Sequence, residues 1–263
     1  EATARLLTKY GVPLAYLIVL VLVLALLVML TDPEDAEADP TAETSVRVLL
    51  HRMQTRRAGQ LCGYFGVVAG SFFALALWLP DYLSSQFDLS VDSGARLAQW
   101  FVIPGALAQI LGGGFSDRFG SARVVSRALM VCLMALFVLS YPPMTLFIQG
   151  VDATIRVEFA LPMQLEGVFV VTLGLAMGCT MGSLQWLVIV ENRSVAAFVA
   201  GLLLVSACSV AFVLPVIFSS VNHWLGIRSA VFMILFLLLV GCLFLFARES
   251  RRHEREHLLH PGI

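Results

Sequence analysis

Seven long apolar stretches in succession constrain this chain more than any other feature. They run roughly Val12–Leu30, Gly59–Leu79, Leu97–Phe115, Ala122–Tyr141, Gly167–Val190, Val195–Val221 and Ser229–Ala247. A helix rising ~1.5 Å per residue needs ~20 apolar residues to cross ~30 Å of hydrocarbon. One such stretch could be a helix in a soluble core. Seven could not, because the chain is 59% hydrophobic and only 13% charged, whereas a soluble domain is about half apolar and a quarter charged. The expected fold class is an all-α membrane protein with about seven spans.

The same composition narrows the chemistry. The net charge is -1 and no basic patch stands out, so no nucleic-acid partner is expected. Cys62, Cys132, Cys179, Cys208 and Cys242 all fall in apolar segments without CxxC spacing, which reads as small buried hydrophobes rather than a disulfide or metal set. His223 lies at the end of a span and His253, His257 and His260 lie in the tail, again without metal-ligand spacing. No nucleophile–base pair, HExxH or phosphate-binding loop is present, so neither an enzyme nor a cofactor or metal is expected.

Arginine and lysine set the expected orientation. One set of loops and the tail hold Arg47, Arg52, Arg56, Arg57, Arg118, Arg123, Arg127, Arg193, Arg248, Arg251, Arg252 and Arg255. The opposite side holds Arg5, Lys9, Arg96, Arg156 and Arg228. The positive-inside rule places the first set in the cytoplasm. The N-terminus of the chain is then outside and the C-terminus inside, with a bacterial inner membrane as the expected location.

Two loops are long. Asp32-Pro-Glu-Asp-Ala-Glu-Ala-Asp-Pro40 is acidic and proline-bearing, a flexible composition. From Ser45 to Arg57, Val46, Leu49, Leu50 and Met53 recur at helical spacing between arginines. That pattern fits an amphipathic helix on the membrane surface or a solvated linker helix. Between Pro142 and Leu165, Asp152, Thr154, Arg156 and Glu158 alternate with Ala153, Ile155, Val157 and Phe159, which predicts a β-hairpin or extended lid.

The most specific local motif is Gly113-Gly-Phe-Ser-Asp117-Arg118-Phe-Gly120-Ser-Ala-Arg123, between two spans on the arginine-rich side. Gly113 can let two helices approach closely. Asp117 and Arg118 stand at a helix end, where a carboxylate can meet a helix N-terminus and an arginine a carboxylate. Gly120 permits a tight turn with positive φ. Arg123 opens the next helix.

This run resembles the signature loop of the major facilitator superfamily, which joins the second and third helices of each six-helix half. Further stretches are similar to nitrate/nitrite porters of that superfamily. They are Ala74-Leu-Ala-Leu-Trp-Leu-Pro80 with Asp81-Tyr82, Leu139-Ser-Tyr-Pro-Pro143, Gly174-Leu-Ala-Met-Gly178, Phe212-Val-Leu-Pro215 and Phe232-Met-Ile-Leu-Phe236, in family order from about Ser45 to Glu256. The resemblance implies that residues 1–30 are the last helix of an N-terminal half and 31–58 a cytoplasmic linker. Residues 59–247 would be the C-terminal six-helix bundle, and 248–263 a cytoplasmic tail. The chain starts at Glu1 without methionine and has an odd span count, so the expected partners are membrane lipid, a small anion (nitrate or nitrite) and the other half of the same transporter.

Porters of this family hold nitrate with an arginine from the middle of the equivalent helix in each half. A planar monovalent anion suits a guanidinium fork. Here that position carries Gln109, a neutral hydrogen-bond donor, and Arg96 lies thirteen residues earlier, at the other end of the span. The expected substrate-binding residues are Gln109, Tyr64, Gly178, Gly182 and Ser206. Gly113, Asp117, Arg118, Gly120 and Arg123 are expected to govern the conformational change. Most glycines of the family's eleventh helix are absent from Ser194–Ser209, and Met181-Gly-Ser-Leu-Gln-Trp186 has no lysine where related porters often carry one. These departures support an alternative, a divergent transporter-like protein with another substrate or a scaffold or regulatory role.

Overall fold

Apolar stretches become helices here because a helix satisfies its own backbone polar groups, which hydrocarbon cannot do. The computed structural model describes residues 55–141, 144–149, 154–159 and 161–259. The expected first span and the helix expected from Ser45 lie outside these residues, apart from the final residues of the latter. The other six stretches form α1 (Thr55–Gln86), α2 (Val91–Phe119), α3 (Ser121–Leu139), α4 (Met163–Glu191), α5 (Ala196–Leu225) and α6 (Ala230–Leu259). Each is long and apolar enough to cross a membrane.

Most helices run past their apolar stretches. α1 continues through Pro80 to Gln86, and α6 continues from Ala247 to Leu259 through a charged segment. That segment is rich in Glu, Arg and Leu, which are strong helix formers, so the tail expected from residue 248 begins as helix. Ser90 caps α2, its hydroxyl accepting from the Ser93 N–H at 3.3 Å. Gly226, with φ 65°, ends α5 in the left-handed region.

The alternating segment forms the expected hairpin. β1 (Met144–Gln149) pairs antiparallel with β2 (Thr154–Phe159), in a register running from Met144 opposite Phe159 to Gln149 opposite Thr154. It joins the end of α3 to the start of α4.

α1 and α4 are the central helices. In their most apolar windows 67% and 61% of residues are buried, against 28% in α2 and 22% in α5. α2 lies along α4, α5 along α1, and α3 packs on both α4 and α6. Aromatic rings tie α1 to its neighbours. Phe72 of α1 stacks on Phe101 of α2 at 4.8 Å, Tyr82 meets Phe232 of α6 edge-on at 5.0 Å, and Trp78 meets Phe218 of α5 at 6.0 Å.

Candidate functional site

The closest helix pair is α2 with α4, and glycine makes it possible. A Cβ on Gly174 would fall on the Phe101 carbonyl, one on Gly178 on the Gly105 carbonyl, and one on Gly182 on the Gln109 carbonyl. In return, a Cβ on Gly105 would come within 2.9 Å of the Gly174 carbonyl oxygen, and one on Gly112 would fall on the Cys179 carbonyl. The contacts step every four residues along both helices, the period that keeps one helix face in register. Ser183 ties the seam further, its hydroxyl donating to the Gly112 carbonyl across the interface at 3.0 Å.

Gln109 sits on this seam. Its amide Nε2 donates to Oε1 of Gln185 at 3.0 Å, and both side chains are half-buried. Gln109 lies ten residues before the end of α2 and Gln185 six before the end of α4. At 1.5 Å per residue these are about 15 and about 9 Å from the ends of two helices long enough to cross a membrane. Each primary amide offers two donors and an acceptor oxygen. The pairing uses one donor of Gln109 and the oxygen of Gln185, and the Gln185 NH2 has no partner among the described residues. Reversing both amides would leave the Gln109 NH2 instead, so a donor remains in either orientation.

Three of the five expected substrate residues, Gln109, Gly178 and Gly182, therefore meet on one seam. The other two lie elsewhere. Tyr64 is 9% exposed and packs edge-on to Phe246 of α6 at 5.8 Å. The Ser206 hydroxyl stands 3.0 Å from the Cys62 carbonyl and 2.7 Å from the Leu203 carbonyl, so its single proton is already engaged at the α1–α5 contact. That contact is also close, since a Cβ on Gly66 would come within 2.9 Å of Ser206.

At the α2–α3 turn Gly120 adopts φ 82°, as the turn requires. Asp117, Arg118 and Arg123 are exposed, and none makes an ion pair with another described residue. The close helix approach expected at Gly113 occurs one residue earlier. A Cβ on Gly113 would meet nothing within 4 Å, whereas Gly112 abuts α4. At this same end Arg57 of α1 bonds Glu191 of α4 at 2.8 Å, both side chains about a quarter exposed. At the opposite end Arg228 stands 3.6 Å from Asp81.

Two features escaped the sequence reading. Gln185 is the specific partner of Gln109, a pairing 76 residues apart that only the helix phases reveal. Glu166, in the first turn of α4, is a buried carboxyl at 4% exposure whose Oε1 has no hydrogen-bond partner among the described residues. The spacing Gly174-x3-Gly178-x3-Gly182 carried the seam itself in plain view. Among the described residues no cluster of three His, Cys, Asp or Glu side chains could hold a metal ion.

A family model described as Major Facilitator Superfamily matches residues 2–215. A protein of Thermus thermophilus named "Probable nitrate/nitrite antiporter NarK1" is 29% identical over 176 residues, covering 66% of this chain and 40% of the relative. A protein of Mycobacterium tuberculosis named "Probable nitrate/nitrite transporter NarK2" is 34% identical over 80 residues, covering 30% of this chain and 20% of the relative. The chain thus matches less than half the length of either.

Proposed function

The chain belongs to the Major Facilitator Superfamily, and on that premise we propose that the whole protein is a secondary transporter of a small inorganic anion, nitrate or nitrite. It would work by alternating access, two helical halves rocking about a site they share near the midplane. The present six helices would supply one wall of that site, with the arginine-rich end in the cytoplasm. The relatives' names motivate the substrate.

The observation that carries the reading is the Gln109–Gln185 pair. A polar group inside a span is costly unless it is bonded or functional. The pair bonds itself and still leaves an amide N–H, which can donate to an oxyanion in its plane. This pair offers neutral donors only, so a full positive charge for nitrate would come from the opposite wall.

Charge-assisted hydrogen bonds are worth ~1.5–3 kcal/mol and neutral ones ~0.5–1.5. Gln109→Arg should therefore tighten nitrate binding by ~1 kcal/mol, about fivefold, and Gln109→Ala should weaken it by a smaller factor. Nitrate uptake and nitrate-dependent thermal stabilisation of the full-length protein measure both. If neither variant changes nitrate binding, the pair does not face the substrate.

One observation favours the alternative reading. Gln109 already has a side-chain partner, as it would if it only held α2 to α4 in a divergent scaffold or regulatory protein. Full-length protein with no nitrate or nitrite response would favour a different substrate or a non-transport role over the first reading.

A further inference from the structure

Where α2 and α3 diverge from the turn at Gly120, they leave a groove of about 440 Å³ whose floor is α4. Its walls include Leu111, Phe115 and Phe119 of α2, Val131 of α3 and Leu175 of α4, all of them exposed. The α2 wall runs from Ala108 to Phe119. Eleven residue steps at 1.5 Å make about 16 Å, close to the ~15 Å depth of a single leaflet.

One charged side chain lines this apolar groove, that of Arg127. Arg127 is six residues into α3, about 9 Å along the helix. It is exposed and forms no ion pair with a described residue. Arg123 is four residues nearer the turn and therefore on the same face. Arg118 in the last turn of α2 adds a third cation, and Asp117 is the only carboxylate in this turn. A long cationic side chain at this depth extends its head toward the interface while its stem stays among apolar groups.

We propose that this groove binds one anionic phospholipid from the leaflet at the α2–α3 turn, an acyl chain lying against Phe115 and Leu175 and the phosphate against Arg127 and Arg123. Charge complementarity selects the occupant. A zwitterionic lipid would fill the apolar walls equally well, but its own ammonium would sit among three arginines. Basic pockets between spans on one membrane face recognise anionic head groups in this way. Neither Gln109 nor Gln185 lines this groove, so the inference stands whether or not nitrate is the substrate.

The test uses the full-length protein in nanodiscs with phosphatidylglycerol or phosphatidylcholine carrying a photoactivatable group on the acyl chain. Wild type should label within α2 and α3 at the groove residues with the phosphatidylglycerol probe and several-fold less with the phosphatidylcholine probe. Arg127→Gln should remove that preference and Arg127→Lys should retain it. Leu175→Trp, which fills the groove and leaves the arginines in place, should abolish labelling from both probes. Equal labelling by the two lipids, or an unchanged preference in Arg127→Gln, would overturn the proposal. Absence of label with groove cysteines crosslinking to another segment of the chain would show that protein, not lipid, covers this face.

Discussion

At the scale of single residues, the decisive property of the α2–α4 seam is the hydrogen in place of a side chain. Gly178→Ala puts a methyl where the Gly105 carbonyl already stands, and that neighbour is backbone, which cannot rotate away. The helices must separate, and overpacking of this kind costs ~1–3 kcal/mol. A helical glycine with open space behaves in the opposite sense. Gly241 in α6 meets nothing within 4 Å, so Gly241→Ala only removes the flexibility penalty of ~0.5–1 kcal/mol. Thermal unfolding in detergent should show Gly178→Ala lowering the midpoint and Gly241→Ala holding or raising it. Equal shifts in the two variants would mean that the seam is looser than its backbone geometry. Gln109 and Gly182 share one contact on this seam, so the same measurement on Gly182→Ala should also displace the amide pair and reduce any anion response.

At the scale of elements, two ion pairs act at opposite membrane faces, one between α1 and α4 and one between the α5–α6 turn and α1. Arg57 at the start of α1 and Glu191 at the end of α4 join the two central helices. Exposed pairs contribute ~0.2–1 kcal/mol, whereas breaking a buried pair costs ~3–5. With both side chains about a quarter exposed, Glu191→Gln should cost ~1–2 kcal/mol, between those limits. The charge swap Arg57→Glu with Glu191→Arg should recover part of the loss, read as the unfolding midpoint of each single and the double variant. No recovery would mean that the pair is incidental. Elements were also the scale at which the sequence was most legible. Six apolar stretches are six helices, and within the alternating segment Thr154–Phe159 is a strand paired in a hairpin. The ends were less legible, since hydropathy marks the hydrocarbon and not the helix. Pro80 lies within α1 because a proline costs one hydrogen bond that flanking packing can offset. The site was partly legible. Gln109 stood out as polar in an apolar span, but its partner Gln185 depends on how two helices rotate against each other, which the glycine period at Gly174, Gly178 and Gly182 fixes.

At the scale of the whole molecule, the up-and-down course of the six helices sorts charge between two faces. The start of α1, the α2–α3 turn, the α4–α5 turn and the end of α6 share one face, and the Arg57–Glu191 bond confirms that the first and third of these meet. That face carries Arg56, Arg57, Arg118, Arg123, Arg193 and the arginines of the α6 tail. The opposite face carries Arg96, Arg156 and Arg228 with the hairpin. Membrane insertion retains arginine-rich short loops on the cytoplasmic side, so the hairpin should be external. Ser90, before α2, and Arg193, before α5, mark the two faces at exposed turns. In a variant lacking the native cysteines, Ser90→Cys should react with an impermeant maleimide on intact cells. Arg193→Cys should react only after permeabilisation. The reverse pattern would turn the molecule over and place Asp117, Arg118 and the Arg127 groove at the outer leaflet. Reaction of both on intact cells would mean that the α4–α5 turn is reached from outside through an open cavity, and a maleimide too large for such a cavity would then separate access from orientation.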